Sequence, residues 1–544
     1  MRTFKHLWVV FPLLTLFCAS AARSSDKRPN ILFAFADDWG RHSSSYAKAD
    51  GPGTENDVIR TPNFDAIAQS GVLFNHAYVN APSCTPCRSA LLSGQHFWRT
   101  GRGAILQGAV WDESIPTWPL LLKDSGYHIG YTFKVWSPGT PKDAPFGGKA
   151  NAYGGGRYSA FSQTATRLVG SGKSHENAKS ELAAEVRKNF QAFLDKKNDG
   201  QPFAYWFGPT NVHRKWIKGS GKALWGIDPD QLKGKMPPFL PDVPEIRQDL
   251  ADYMGEAMAF DMALGVLVDE LKKTGHYDNT IIAASGDHGP AGFPHGKCNL
   301  YDFGTRVSLA ISGPGVKSLA EGRVLDDFVS VPDLAATFLE AGGVKIPEVM
   351  TSKSIWPSLK SHVASGLADS SRTHVFTGRE RHVSMARAGH LPYPARAIRT
   401  KDHLLIINFR PDRWPLGDPF DLGTDKEPNV ERLTQQTFCT LADEDAGPTK
   451  AWIVSNRKDT KVKPFYDHAY GKRPREQLFD MNKDPHQMKN VAADPAYADV
   501  LAKLRGQLMN ELKTTKDPRI VDDGRYFETP PLAGPTRMPP RKKK

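Results

Sequence analysis

The segment Cys84-Thr85-Pro86-Cys87-Arg88-Ser89-Ala90-Leu91-Leu92-Ser93-Gly94 sets two thiols, a proline, an arginine and a small-residue closure at fixed spacing. By residue type alone, Cys84 and Cys87 read as a Cys-x-x-Cys redox dithiol or as two buried cysteines packed in a turn. Neither reading requires Arg88 or the Leu92-Ser93-Gly94 closure. Elsewhere, Asp37-Asp38 and Asp287-His288 gather three carboxylates and an imidazole. A divalent cation is the physical reason to collect such charges in one place. Taken alone, Asp37-Asp38 would read as a turn or helix cap; its place after an apolar run favours the metal reading.

These groups need rigid elements behind them. Ile31-Leu-Phe-Ala-Phe-Ala36 is a short apolar run that reads as a buried strand ending at Asp37. Tyr277 to Ser285 is a second such run and ends at Asp287, so two strands deliver carboxylates from their C-terminal ends. Between them the pattern predicts a helix over Thr61–Ser70, a strand over Val72–Val79 and a helix over Ile115–Asp124 with Pro116 in its first turn. A strand over Gly126–Phe133, a long amphipathic helix over Asn177–Leu194, a strand over Pro202–Phe207 and a second long helix over Glu245–Thr274 follow. The alternation predicts an α/β sandwich. After Tyr393 the texture changes to short strand-like runs, Ala397-Ile398 and Leu404–Ile407. A Pro- and Asp-rich loop region from Pro411 to Pro464, the run Gln477–Asp480 and a helix near Pro495–Lys513 complete the chain before an irregular tail. There is no internal repeat.

A chain of 544 residues with 40% hydrophobic and 24% charged composition can bury more than one core. Met1–Ala21, with Arg2, Lys5, the apolar run Leu7–Phe17 and Ala19-Ser20-Ala21, has the layout of a secretory signal peptide. Nothing after it approaches the roughly 20 continuous apolar residues of a membrane span, so a secreted or periplasmic protein without stable membrane association is expected. Of five cysteines, Cys84, Cys87, Cys298 and Cys439 follow the leader, too few for a disulfide scaffold. A formal net charge of +12 favours anionic partners, and polyanionic glycans fit it as well as nucleic acid does.

The segment from Cys84 to Gly94 resembles the signature of the type I sulfatases, Cys-x-Pro-x-Arg followed by x-x-x-Leu-Ser/Thr-Gly, at every fixed position. The resemblance extends from Arg28 to Pro518 and implies an alkaline-phosphatase-like α/β sandwich, a central mixed sheet flanked by helices with a smaller C-terminal α+β domain. It implies that a formylglycine-generating or equivalent maturation enzyme oxidises Cys84 to formylglycine, whose hydrated aldehyde attacks sulfur. It also implies a cation, usually calcium with magnesium as the alternative, held by Asp37, Asp38, Asp287, His288 and the converted Cys84. Lys297, in Gly296-Lys297-Cys298-Asn299, and Lys134, in Gly130–Trp136, match the family lysines that hold sulfate. His213 matches the histidine that protonates the leaving group, and Arg88 is expected to orient the nucleophile and offset charge as the sulfuryl group transfers. One position departs from the pattern: the family commonly has a histidine two residues after Lys134, and this chain has Trp136.

Within the family the chain looks most like the heparan N-sulfatases, on Phe293–Lys297, Asn299-Leu300-Tyr301, Tyr393–Arg396 and Leu478-Phe479-Asp480 with Asp484-Pro485-His486. The expected partner is therefore a sulfated carbohydrate and not nucleic acid, with hydrolysis of a sulfuric ester or a sulfamate. An O-sulfatase on bacterially degraded polysaccharide, a phosphatase or phosphonate hydrolase of the same fold, and a catalytically inactive glycan-binding relative are the other readings. The expected organisation is a leader over 1–21, a catalytic domain over 27–392, a C-terminal domain over 393–518 with a small antiparallel sheet and a helix, and a basic Pro-rich tail over 519–544. Arg379, Arg381 and His382, in a charge-dense run before the second domain, are expected to read the sugar at the pocket mouth; a solvated loop is the alternative.

Overall fold

The computed structural model describes residues 28–528. The expected leader and residues 529–544 of the expected tail lie outside the described residues. Eight strands, β1 (Asn30–Ala36), β2 (Val72–Tyr78), β3 (His128–Phe133), β4 (Phe203–Gly208), β5 (Thr280–Gly286), β6 (Leu309–Ser312), β7 (Arg323–Ser330) and β8 (Ser365–Gly366), form one sheet in the order β3-β4-β1-β5-β6-β2-β7-β8. Only β6 runs against its neighbours, so the sheet is mixed.

The alternation along β1 explains the layers. Leu32, Ala34 and Ala36 join the core on one face, under the helices His175–Leu194 and Pro244–Lys273. Ile31, Phe33 and Phe35 join the core on the other, with Trp118, Trp206 and Phe338. Successive strand residues point to opposite faces, so a strand covered on both sides must be apolar throughout, as β1 is. The Phe33 and Phe35 rings meet the Trp206 edge at centroid distances of 4.9 and 5.3 Å, the geometry favoured by aromatic quadrupoles.

A second, antiparallel sheet has the order β12-β11-β10-β9, from β9 (His374–Arg379), β10 (Ala395–Thr400), β11 (His403–Asn408) and β12 (Glu476–Asp480), with the helix Ala498–Thr514 against β10 and β11. Its first strand in the chain, β9, lies upstream of residue 393 and takes in Thr377–Arg379 of the charged run. Three further expectations change. The helix expected from Ile115 begins at Trp118, with Pro119 in its first turn. The region expected to be loop from Pro411 to Pro464 contains the helices Val430–Gln435 and Pro448–Ser455. The tail is not irregular up to residue 528: Pro518–Val521 and Arg525–Glu528 are helical, held by ion pairs of Arg519 with Glu380 and of Glu528 with Arg413.

Candidate active site

Register brings the two acidic strand ends together. β1 and β5 pair in parallel with Ala36 opposite Gly286, and the Asp287 N–H donates to Ala36 O at 3.1 Å. The Asp38 N–H in turn donates to Asp287 Oδ1 at 2.8 Å. On the other side of β1, β4 and β3 end at the same edge, where the Lys134 N–H reaches Gly208 O at 2.8 Å and the Asp37 N–H reaches Pro209 O at 3.2 Å. Four adjacent strand ends thus present Lys134, the turn leading to His213, Asp37-Asp38 and Asp287-His288.

Cys84 enters from the helix Cys84–Ser93. Ser83 caps it in an extended conformation, and Pro86 falls in the first turn, where an amide N–H would have no intrahelical partner. Gly94 ends the helix at φ 62°, where a Cβ would stand 2.7 Å from Met350 Sδ and 2.9 Å from Ser352 Oγ, so any other residue would meet a left-handed backbone and have to displace both side chains. The helix N-terminus points its free N–H groups where Cys84 sits, which favours an anion.

Arg88, one turn on, is fully buried and joins the pieces. Its Nε donates to Asp287 Oδ2 at 2.9 Å, its Nη2 to Asp37 Oδ1 at 3.1 Å and its Nη1 to Lys134 O at 3.1 Å. Lys134 Nζ donates to both Asp37 oxygens, at 2.7 and 2.9 Å. Burial opposes ionisation of Asp37, but Lys134 and Arg88 hold its carboxyl well below the usual range. Lys297 Nζ lies 3.3 Å from Asp38 Oδ1, and His213 Nε2 lies 3.8 Å from Asp38 Oδ2. Burial works against the His213 imidazolium, yet the Asp38 carboxylate raises it above its ordinary value.

A cation fits these residues. Asp38 Oδ1 and His288 Nε2 are buried without a hydrogen-bond partner and face one another at 3.4 Å. Ligand atoms of Asp37, Asp38, Cys84 and His213 lie within 4.8 Å of one another, and so do those of Cys84, Asp287 and His288. Two buried acceptors left facing each other are unfavourable unless something positive lies between them, and a donor set led by carboxylate oxygen suits a hard divalent ion. The Cys-x-x-Cys redox reading fits poorly. Cys84 and Cys87 are both free thiols; burial pushes Cys84 up to about 11 and Cys87 well above its ordinary value, where disulfide exchange wants a lowered thiol.

Trp136, where the family pattern has histidine, is fully buried, and its indole N–H, its one side-chain donor, is engaged by Ser89 Oγ at 2.7 Å. The three residues expected to read the sugar are not exposed. Arg379 forms a 2.6 Å ion pair with Asp443 and donates to Cys298 O and Pro415 O; Arg381 donates to Gln107 O; His382 Nδ1 lies 2.8 Å from Ser83 Oγ. All three are buried, Arg379 as the last residue of β9 and the other two just beyond it. The charge of Arg379 is balanced by a residue distant in sequence, Asp443, instead of by water.

Two groups at the site escaped the sequence reading. Tyr253, from the helix Pro244–Lys273, donates its hydroxyl to Asp38 O at 3.2 Å and accepts from the Gly40 N–H at 3.0 Å, bracing the metal-candidate turn. Asp445, from the region read as a loop, lies 3.4 Å from Lys297. Among the sequence signals, only the unbroken triplet Asp443-Glu444-Asp445 could have marked it.

Comparison with known proteins agrees with this geometry. The human N-sulphoglucosamine sulphohydrolase is 27% identical over 516 residues, covering 90% of this chain and 91% of its own. A protein solved in complex with its substrate D-glucosamine-2-N,6-O-disulfate matches 90% of this chain and 99% of its own, with a TM-score of 0.56 at 18% identity. A phosphonate monoester hydrolase from Silicibacter pomeroyi matches 91% and 97%, with a TM-score of 0.57 at 19% identity. These likenesses establish the alkaline-phosphatase-like fold, which hosts more than one chemistry. The sulfatase family profile matches residues 29–344, the stretch that holds the Cys84 signature, both acidic strand ends, Lys134, His213 and Lys297: the chain belongs to the sulfatase family.

Proposed function

We propose that this sulfatase removes sulfate from glucosamine units of a sulfated glycan, acting on the N-sulfate, with Cys84 converted to formylglycine and calcium held by Asp37, Asp38, Asp287 and His288. The observation that carries the reading is the convergence of Cys84 with both acidic strand ends in one buried cluster. The choice of N-sulfate rests on the likeness to the human N-sulphoglucosamine sulphohydrolase over nine-tenths of both chains. The net charge of +12 suits a polyanionic substrate.

In this reading the hydrated formylglycine supplies the oxygen nucleophile, and the cation supplies positive charge that lets an anionic sulfate approach three carboxylates. The remaining work falls to the chain's own side chains. Lys134 and Lys297 hold sulfate oxygens, Arg88 fixes the nucleophile's helix against Asp37 and Asp287, and His213 Nε2 passes a proton to the leaving group. Fragment-ion mass spectrometry of the tryptic peptide Thr61–Arg88 tests the nucleophile: an aldehyde at position 84 supports it, and a Cys84–Cys87 disulfide in active protein overturns it. Free sulfate and free amine assayed over N- and O-sulfated saccharides test the substrate. Release of both from the N-sulfates supports the reading, and activity confined to O-sulfated algal glycans refutes it.

A further inference from the structure

Exposure around the site is graded. Arg88, Asp37, Asp38, Asp287 and His288 have side chains no more than 2% exposed, whereas Lys134 is 11%, Asp445 20% and His213 30% exposed. The sulfate must bind at the buried end, beside Cys84, so the atom it departs from lies toward the rim, where His213 and Asp445 stand. A carboxylate is an unexpected lining for a pocket that admits an anion, because it repels the substrate.

Asp445 is nevertheless held in place deliberately. Two residues before it, Asp443 receives buried ion pairs from Arg379 at 2.6 Å and Arg387 at 2.8 Å, and its Oδ1 accepts the Val383 N–H at 3.0 Å. Lys450 Nζ donates to Leu441 O at 3.0 Å and Glu444 O at 2.7 Å. Asp445 Oδ2 itself is buried and has no hydrogen-bond partner among the described residues; Lys297, already shared with Asp38, lies 3.4 Å away. With Oδ2 turned to Lys297, the one-fifth-exposed Asp445 carboxylate keeps acceptor capacity toward the rim, near enough to His213 for its charge to favour that imidazolium.

We propose that Asp445 is a specificity-determining residue that accepts an N–H from the leaving amine and so selects sulfamates of amino sugars over sulfate esters. The inference rests on the function proposed above. When a sulfamate is cleaved, the nucleophile's hydroxyl oxygen bonds to sulfur and releases its proton, the S–N electron pair passes to nitrogen, and nitrogen takes the proton that His213 gives up, which the released one replaces in the overall balance. The product is an amine with two N–H groups that becomes an ammonium at neutral pH, the natural partner of a carboxylate. An ester leaves as a neutral alcohol with one O–H and gains less. Arg379 acts here as a positioning residue, through Asp443, and does not itself touch the sugar.

The test compares wild type with Asp445→Asn on glucosamine N-sulfate and on an aryl sulfate ester. The kcat/KM ratio of sulfamate to ester should fall roughly tenfold or more, the scale of a lost charged hydrogen bond. A proportional loss on both overturns the proposal, since it would mean Asp445 only holds Lys297. A wild-type measurement guards against a variant that fails to fold: by calorimetry, glucosamine should bind about tenfold more tightly than N-acetylglucosamine, whose nitrogen cannot become cationic. Equal affinities overturn the proposal. Protein that frees no sulfate from any substrate yet keeps the amine preference supports the Asp445 contact while sinking the broader functional reading.

Discussion

Arg88 donates from Nε to Asp287 Oδ2 at 2.9 Å with neither side chain exposed to solvent. Two opposite charges with no access to water depend on each other, because the one left behind cannot be hydrated. Removing one partner of such a pair typically costs about 3–5 kcal/mol. Arg88→Ala should therefore lower the urea midpoint measured in chelator, and saturating calcium should restore part of the loss by placing positive charge beside Asp287. A variant with wild-type stability in chelator would mean that Asp287 is neutral in the folded protein.

Asp38 Oδ1 and His288 Nε2 face one another at 3.4 Å without a hydrogen-bond partner, so an ion between them should stabilise the fold. At about 100 times its dissociation constant, a bound ion adds roughly 2.7 kcal/mol. Calcium should raise the melting temperature of wild type and have little effect on Asp38→Asn or His288→Ala. Magnesium, which demands a tighter octahedral shell, should act more weakly. The idea fails if neither ion shifts wild type, or if both variants respond as wild type does.

Gly94 combines a left-handed backbone with contacts that a methyl group could enter only by displacing the Met350 and Ser352 side chains. Gly94→Ala should lose about 1–3 kcal/mol, read as a lower denaturant midpoint, and it should disturb the register of the helix that carries Cys84. Unchanged stability would show that Met350 and Ser352 yield freely.

The strand ends were legible because each apolar run stops at an acid, and Asp37 and Asp287 are where those runs place them. Register was not: nothing in either run says that Ala36 will face Gly286, since pairing depends on two segments far apart in sequence. The Cys84 motif was legible as a motif but not as a helix; the structure makes it the helix Cys84–Ser93 and supplies the reason for its closing glycine in the φ of Gly94. The run Thr377–His382 misled because density of charge normally means water. Here Arg379 is neutralised by Asp443, and Glu380 by Arg396 and Arg519, partners that only the folded chain brings near. Asp445 was hidden for the same reason: a loop held by long-range ion pairs has no periodicity to detect.

Glu256 gives the pH dependence a defined direction. It is buried on the helix Pro244–Lys273, accepts from the Ser162 N–H at 3.2 Å and from Asn211 Nδ2 at 3.1 Å, and so supports the turn that carries His213. Burial pushes its carboxyl up to about 7, from an ordinary value of 4.5. The folded chain therefore holds this proton where the unfolded chain has released it. The associated stability is fully present below pH 4.5 and is lost as pH rises through about 7. A shift of this size corresponds to about 3 kcal/mol. Glu256→Gln stays neutral throughout, so its stability relative to wild type should increase between pH 5 and 8, followed by denaturant midpoints across that range. A constant difference between the two proteins would mean that Glu256 is ionised in the native state at every pH tested.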